Sequence, residues 1–559
     1  MALFPRARRI ISRARFAFSL ALCLGLCACA RQEPPADVTI INGGEPESLD
    51  PAIVSGIVEM RITTGLFEGL TRLDPKTARP VPGLAESWEV SPDGKIYTFH
   101  LRTNLVWSTG EPITADDVVY SWLRTLNPLT ASDYAAQLFC VRNAEAFGTG
   151  KIRTPESVGI QAVDPFTVRI ELNHPVLFFL DICALPATGV VPRQAIEKYG
   201  DRWLSARPLP VSGPFELAYW RLNDKVRLKK NPRYWDAANT QSETIDILPV
   251  GSPNAALNLY DRGEADIVWD KELVPGQLID ILIRRPDFHR FNYLGVYFIR
   301  FNVTRKPFDD PRVRQALALA IDKGRIVKKI TRAGETPTSH FVPDGTANYT
   351  SPNGLDYNPA LARKLLAEAG YPNGDHFPHF EYVFSAPGGG GDKIHESIGI
   401  ELQQMWRDEL GIHADLRQLE AKIFFTAQSH LDFDLSRSSW VGDYDDANTF
   451  LSLFTSDDGN NRTGWKNARY DALIREANEQ TDPAAREKLF QQAETILTRD
   501  EVPIIPLYFY VGINYFNTNR IQGIYENILD DHPLQAIRKI GRESKVESRG
   551  PEASSPQSP

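Results

Sequence analysis

Long apolar runs are scarce in this 559-residue chain. The most conspicuous, residues 16–28, falls short of the about 20 residues that a bilayer-spanning helix needs, so no membrane-crossing helix is expected. Blocks of positive charge are missing as well. The formal charge is −9, and the first 28 residues hold five arginines and no acid, so setting those cations aside leaves −14. A chain this acidic lacks the electrostatic footprint that neutralises phosphates, which excludes nucleic acid as a partner. Local signatures of catalysis are absent too: there is no HExxH, no GxSxG elbow and no GxxxxGK[ST] loop. The run Gly388 to Gly391 has the wrong spacing for a phosphate loop and reads as a flexible connection. Asp443, Asp445 and Asp446 fall short of a calcium loop, because Asn448 and Phe454 stand where its glycine and glutamate belong. His395 and His430 have no further ligands at metal-site spacing. The chain is therefore expected to be no enzyme and to need neither metal nor cofactor.

Methionine is nearly absent, with 3 residues against 10 Trp, 19 Tyr and 28 Phe, which suits clefts of rigid aromatic surface. Of the 5 cysteines only Cys140 and Cys183 fall outside the N-terminal leader. Two buried thiols and one disulfide are both compatible with that spacing, and an oxidising compartment inclines the expectation towards the disulfide.

What is present begins with that leader. Arginines followed by an apolar run have the layout of a signal peptide, residues 1–28. The run ends Leu26-Cys27-Ala28-Cys29, which resembles the lipobox of bacterial lipoproteins and implies a lipid on Cys29 with residues 29–37 as a tether. Cleavage after Ala30, releasing a soluble periplasmic protein, is the competing reading. Either way the body is expected to be exported, to the periplasmic or cell-surface face of a bacterial membrane.

Hydrophobic residues make up 42% of the chain, enough for a sizeable core, and the length suits several domains or two large lobes. Residues 97–102 and 166–172 alternate as half-buried strands, and 38–42 and 226–228 read as short ones. Helices are expected from a Thr114 cap to Trp122, over 311–321 and 359–369, and over 470–479 and 483–499. Strands and helices interleave, so the class is mixed α and β (α/β). The tail 542–559, rich in Ser, Pro, Glu and Gly, is expected to be disordered.

One segment is far more specific. Residues 85–122, AESWEVSPDGKIYTFHLRTNLVWSTGEPITADDVVYSW, resemble the signature of the periplasmic oligopeptide-binding proteins and their relatives among the large extracellular solute-binding proteins of ABC transporters. ESLDP at 47–51, GLFEG at 65–69, NPRYW at 231–235, FDDPRVRQALALAID at 308–322 and LLAEAGY at 365–371 follow in the order that the family shows. The resemblance implies a two-lobed periplasmic-binding-protein fold with a hinge. Residues 38–73, 212–293 and 512–541 would form the first lobe, with a subdomain, 74–211, inserted in it. Residues 294–511 would form the second.

The same resemblance implies a receptor for short peptides that acts as a monomer and delivers them to the membrane subunits of an ABC permease. A protein that accepts many peptide sequences must hold charged ends and backbone. Asp443, in WVGDY, sits where such proteins carry the carboxylate that meets the peptide α-ammonium. Arg437 and His395 match positions serving the ligand carboxylate. Ser439, Val441 and the turn at Gly442 that follows them would offer backbone groups to an extended peptide, as would Ser55, Gly56 and Ile57 across the cleft. Tyr134 and Trp440 are cleft aromatics on this reading. Ala421 stands where relatives place a side-chain-pocket tryptophan, which implies a pocket that is larger or differently selective. A muropeptide, or a non-peptide ligand such as a metal complex, haem, a sugar or an opine, would suit the same fold, as would a sensor of peptides.

Overall fold

Two strands organise the molecule. Phe288–Phe301 and Ile504–Phe516 are apolar along most of their length; the first is buried from Tyr293 onward and the second along nearly all of it. Such a run needs cover on both faces. Leu294, Val296 and Phe298 enter one cluster with Phe341 and Phe450, and the alternate residues Tyr297, Ile299 and Phe301 enter another with Leu317 and Trp406. The structure, a computed structural model, describes residues 33–386 and 393–540. The leader, Cys29, the Gly388 to Gly391 run and the tail lie outside the described residues.

The two strands pair antiparallel from Phe288↔Tyr515 to Arg300↔Ile504, with register shifts between Asn292 and Val296 and between Tyr297 and Phe298. On one side the sheet continues through Leu435–Val441, Phe380–Ser385 and Ala414–Leu419. On the other it runs through Ile267–Trp269, Val38–Ile41, Thr244–Leu248, Lys225–Lys230 and Phe215–Arg221. The fold is mixed α/β and two-lobed, and the long strands are shared by both halves of the sheet.

A third body of structure stands on its own sheet. Ala85–Val90, Ile96–Leu101, Thr167–Glu171 and Ile160–Asp164 form four antiparallel strands. Their core, with Phe99, Trp107, Trp122 and Phe179, draws its buried residues from between Leu70 and Val190. Helix Ala115–Leu126 covers it and starts at a capping box, in which Thr114 N donates to Asp117 Oδ2 at 2.9 Å.

Elsewhere the helices start as their sequences dictate. Asp310, Asn358 and Asp482 each accept a bond from a first-turn N–H, and each precedes a proline whose missing N–H costs nothing there. The helices expected over 311–321 and 359–369 are Pro311–Leu319 and Pro359–Glu368. That over 483–499 is Pro483–Thr495, widening into a π-turn at Ile496–Asp500.

The disulfide is a correction: Cys140 and Cys183 are both free. Cys140 Sγ lies 3.6 Å from the carbonyl of Gln137 in the preceding turn, whereas Cys183 caps the short helix Phe179–Ile182 and is buried in the core. Both pack in the core beneath the four-stranded sheet, and sequence spacing alone does not set the Cα separation and Cβ geometry that a bond needs. Burial pushes the Cys140 thiol up to about 12, and the Cys183 thiol upward too, so both stay protonated.

Candidate ligand-binding site

Strand Leu435–Val441 pairs with Phe288–Phe301 from Leu435↔Phe301 to Val441↔Gly295. It ends at Gly442, whose N–H donates to Leu294 O at 2.8 Å. A Cβ at Gly442 would lie 2.5 Å from Leu294 Cδ2 and 3.0 Å from Thr449 Cγ2, so only glycine allows this approach. The next residue, Asp443, is steadied by its own N–H, which donates to Thr449 Oγ1 at 3.3 Å.

The Asp443 carboxylate accepts Tyr134 OH on Oδ1 at 3.0 Å and Gln137 Nε2 on Oδ2 at 2.9 Å. Tyr134 caps the 3-10 turn Ala135–Leu138, and the three-residue spacing puts both donors on one side of it. Neither donor carries charge, and among the described residues no cation pairs with Asp443. Burial pushes its carboxyl up to about 6, against the two hydrogen bonds, which favour the ionised form. Beside it a solvent-open cavity of about 370 Å³ is lined by Gln137, Trp440, Asp443, Asn448 and the rings of Phe178 and Tyr444. Those two rings stack at 4.2 Å and 4°, so the body built on the four-stranded sheet meets the segment that carries Asp443 here as well as at Tyr134 and Gln137.

Arg437 stands on the same strand. Its Nη2 donates to His395 Nε2 at 2.8 Å, which leaves Nδ1–H of that ring facing the Tyr297 hydroxyl at 3.4 Å. His395 is held there in the first turn of helix Ile394–Leu410. The guanidinium lies 5.6 Å from the Tyr297 ring centroid and 6.0 Å from that of Phe424. Its Nε is buried without a hydrogen-bond partner, and among the described residues no carboxylate pairs with it. Burial disfavours its charge, but the surrounding tyrosines Tyr297, Tyr510, Tyr382 and Tyr508 outweigh that and keep the pKa raised.

The strand between these two groups has one paired edge and one largely open edge. Parallel pairing with Phe380–Ser385 stops at Ser436. Gly442 N–H bonding to Leu294 O fixes the phase, so Arg437, Ser439 and Val441 turn their backbone groups away from Phe288–Phe301. Gln428 Nε2 takes the Arg437 carbonyl at 2.9 Å. Trp440 points to the opposite face, against the cluster around Phe298, with Nε1 3.5 Å from Thr449 Oγ1. Ser55, Gly56 and Ile57 form an exposed lead-in to helix Ile57–Leu66, and among the described residues no hydrogen bond or ion pair joins them to Asp443 or Arg437.

Residues 79–462 match the family described as bacterial extracellular solute-binding proteins, family 5 (middle). The chain belongs to that family. It is 34% identical over 481 residues to the periplasmic oligopeptide-binding protein OppA of Salmonella typhimurium, covering 84% of this chain and 86% of that one. Among solved structures, a periplasmic oligopeptide-binding protein of Borrelia burgdorferi superposes with a TM-score of 0.78 at 32% identity, over 90% of this chain and 100% of its own. The murein tripeptide binding protein MppA of Escherichia coli gives 0.77 at 32% identity, over 90% and 99%.

For a family 5 solute-binding protein the placement is economical: one strand carries Arg437, Ser439, Trp440 and Val441 and leads directly into Asp443. Sequence reasoning missed Gln137. The available signal was its spacing from Tyr134, which places an amide beside a cleft aromatic on any helical turn. It also missed Tyr297, Tyr508 and Tyr510, which lie within long, mostly apolar strands.

Proposed function

We propose that this family 5 protein captures short peptides by their termini and backbone outside the cytoplasm, and hands them to the membrane subunits of an ABC permease without altering them. The observation that carries this reading is Asp443, a carboxylate beside an open cavity that is held only by neutral donors. A primary ammonium is the group that completes such a site. The open backbone at Ser439 and Val441 then suits an extended chain, and Arg437 with His395 suits a carboxylate farther along it. The ligand would lie between a first lobe of 38–73, 212–293 and 512–541, with 74–211 inserted, and a second lobe of 294–511. Sugars and haem bring Asp443 no cation, which disfavours them. A murein peptide has a free amine, and the likeness to MppA keeps it as the second reading.

The test is thermal unfolding against pools of short peptides with free or acetylated N-termini. A ligand at 100 times its Kd adds about 2.7 kcal/mol, a readable shift. Stabilisation by free-amine pools alone, lost in Asp443→Ala, supports the reading, and indifference to every pool after refolding would sink it. Intact peptide recovered from the mixture speaks against hydrolysis. Anchoring through Cys29 is part of the proposal and predicts that Cys29→Ser releases the protein from membranes.

A further inference from the structure

Where the two long strands change register, their backbone groups are served by a third piece of chain. Three residues, Tyr293, Leu294 and Gly295, stand between the pairs Asn292↔Val511 and Val296↔Phe509. Leu294 N–H donates to the carbonyl of Ile528 at 2.7 Å, and Asn292 N–H to Glu526 Oε1 at 3.2 Å. The segment 526–532 therefore lies across the break.

That segment grips both halves of the sheet. Ile528 and Leu529 pack against the cluster of Leu294, Val296 and Phe298. Asp530 reaches the other way: its Oδ1 accepts Asn514 Nδ2 at 2.8 Å and faces His532 Nε2 at 3.0 Å. The His532 ring, 1% exposed, stacks on Trp269 at 5.3 Å and meets Phe291 edge-on at 5.8 Å. Asp530 also lies so close to the long strand that a Cβ on Gly512 would fall 2.5 Å from its Cγ. Its own φ is +49°, a strained conformation for a residue with a side chain. Three buried polar atoms around it, Trp269 Nε1, Asn514 Oδ1 and His532 Nδ1, have no hydrogen-bond partner. A site this tightly packed yet incompletely paired changes its energy when the crossing strands move relative to one another.

We propose that 526–532 is a strap over the hinge, and that Asp530 is the positioning residue through which it holds the crossing strands in this lobe arrangement. The strap touches no ligand group. It acts on the balance between closed and open molecules, and so on how long a ligand is retained. This rests on the reading of the chain as a two-lobed receptor that closes on its ligand.

The experiment compares wild type with Asp530→Ala and with His532→Phe, which keeps a ring on Trp269 but loses the bond to Asp530. Small-angle X-ray scattering of the ligand-free protein and stopped-flow dissociation of trialanine with free termini are the readouts. Both variants should have a larger ligand-free radius of gyration and should release trialanine roughly five- to tenfold faster, the size of effect that residues remote from a ligand exert on a two-state equilibrium. Variants that merely melt at a lower temperature, with scattering and dissociation unchanged, overturn the proposal. If Asp530→Ala does not fold, His532→Phe decides alone. If wild type binds no trialanine, the choice of ligand is at fault, and the scattering of the ligand-free proteins still decides the strap.

Discussion

Asp443 keeps its charge between Tyr134 and Gln137, neither of which can neutralise it. Its carboxyl rises from the usual 3.8 to about 6, so between those values the folded, ligand-free protein holds a proton that the unfolded chain has lost. Stability of the ligand-free form therefore falls as pH rises through that window, and the whole penalty is present above it. Asp443→Asn, which keeps the shape and removes the charge, should melt above wild type at pH 7.5 by about 1–2 kcal/mol after allowance for solvent screening, and converge with it below about pH 4. The same variant should bind no free-amine peptide. In wild type, peptide affinity should decline as pH drops below about 6, because the ammonium needs the ionised carboxylate. Gln137→Leu removes a bond that favours ionisation, so it should move the midpoint of that decline to higher pH. A titration of affinity by calorimetry across pH 4.5–8 checks both statements, and an unmoved midpoint in Gln137→Leu would remove Gln137 from the site.

At the scale of the element, one strand and its terminating glycine determine where the charges stand. A methyl group at Gly442 meets Leu294 and Thr449, so Gly442→Ala should cost about 1–3 kcal/mol in denaturant unfolding and weaken peptide binding as Asp443 is displaced. The open edge makes a separate prediction about the ligand: N-methylation of the peptide amide that faces Ser439 or Val441 should weaken binding about tenfold, the worth of one lost hydrogen bond and a crowded edge. A methylation scan that finds every amide equally tolerant would dismiss strand addition. How much of this was legible depended on whether the information was local. Asx-Pro helix starts at Asp310, Asn358 and Asp482 are written in adjacent residues, and so is the capping box at Thr114. The WVGDY motif marked a turn with an acid at its tip. The contact of Asp443 with Gln137 spans 306 residues, and nothing near either one announces the other. Cys140 and Cys183 failed for the same reason: their spacing allowed a bond, and the Cα and Cβ geometry that decides it is not written near either one.

At the scale of the whole molecule, a second carboxylate is under stress in this arrangement, and closure of the proposed lobes would be coupled to it. Asp181, in the body built on the four-stranded sheet, lines a cavity with Asp445 and Asp446, with Arg79 and with Arg486, which is itself paired to Asp446 at 2.6 Å. Burial first, and then the charges of Asp445 and Asp446, push Asp181 up to about 7, with Arg79 opposing. Parting that body from the segment of Asp445 and Asp446 would return Asp181 to water and to the ordinary carboxylate range. Closing therefore takes up a proton, which makes it easier as pH falls towards 7 and below, and costs the full penalty above that. Asp443 acts on the other limb, since below about 6 it loses the charge that the ligand needs. The Asp181 penalty builds up below about 7 and is constant above it, and Asp443 is charged above about 6, so peptide affinity should fall between about 6 and 7, an alkaline limb that levels off at higher pH. Asp181→Asn should remove the alkaline limb and leave the acid one, and its ligand-free radius of gyration should be the same at pH 5.5 and 8.5 while that of wild type expands at the higher value. An alkaline limb that persists in Asp181→Asn would place the opposing charge elsewhere, with Asp445 the next residue to neutralise, since its carboxyl is also raised by burial and faces the same cavity.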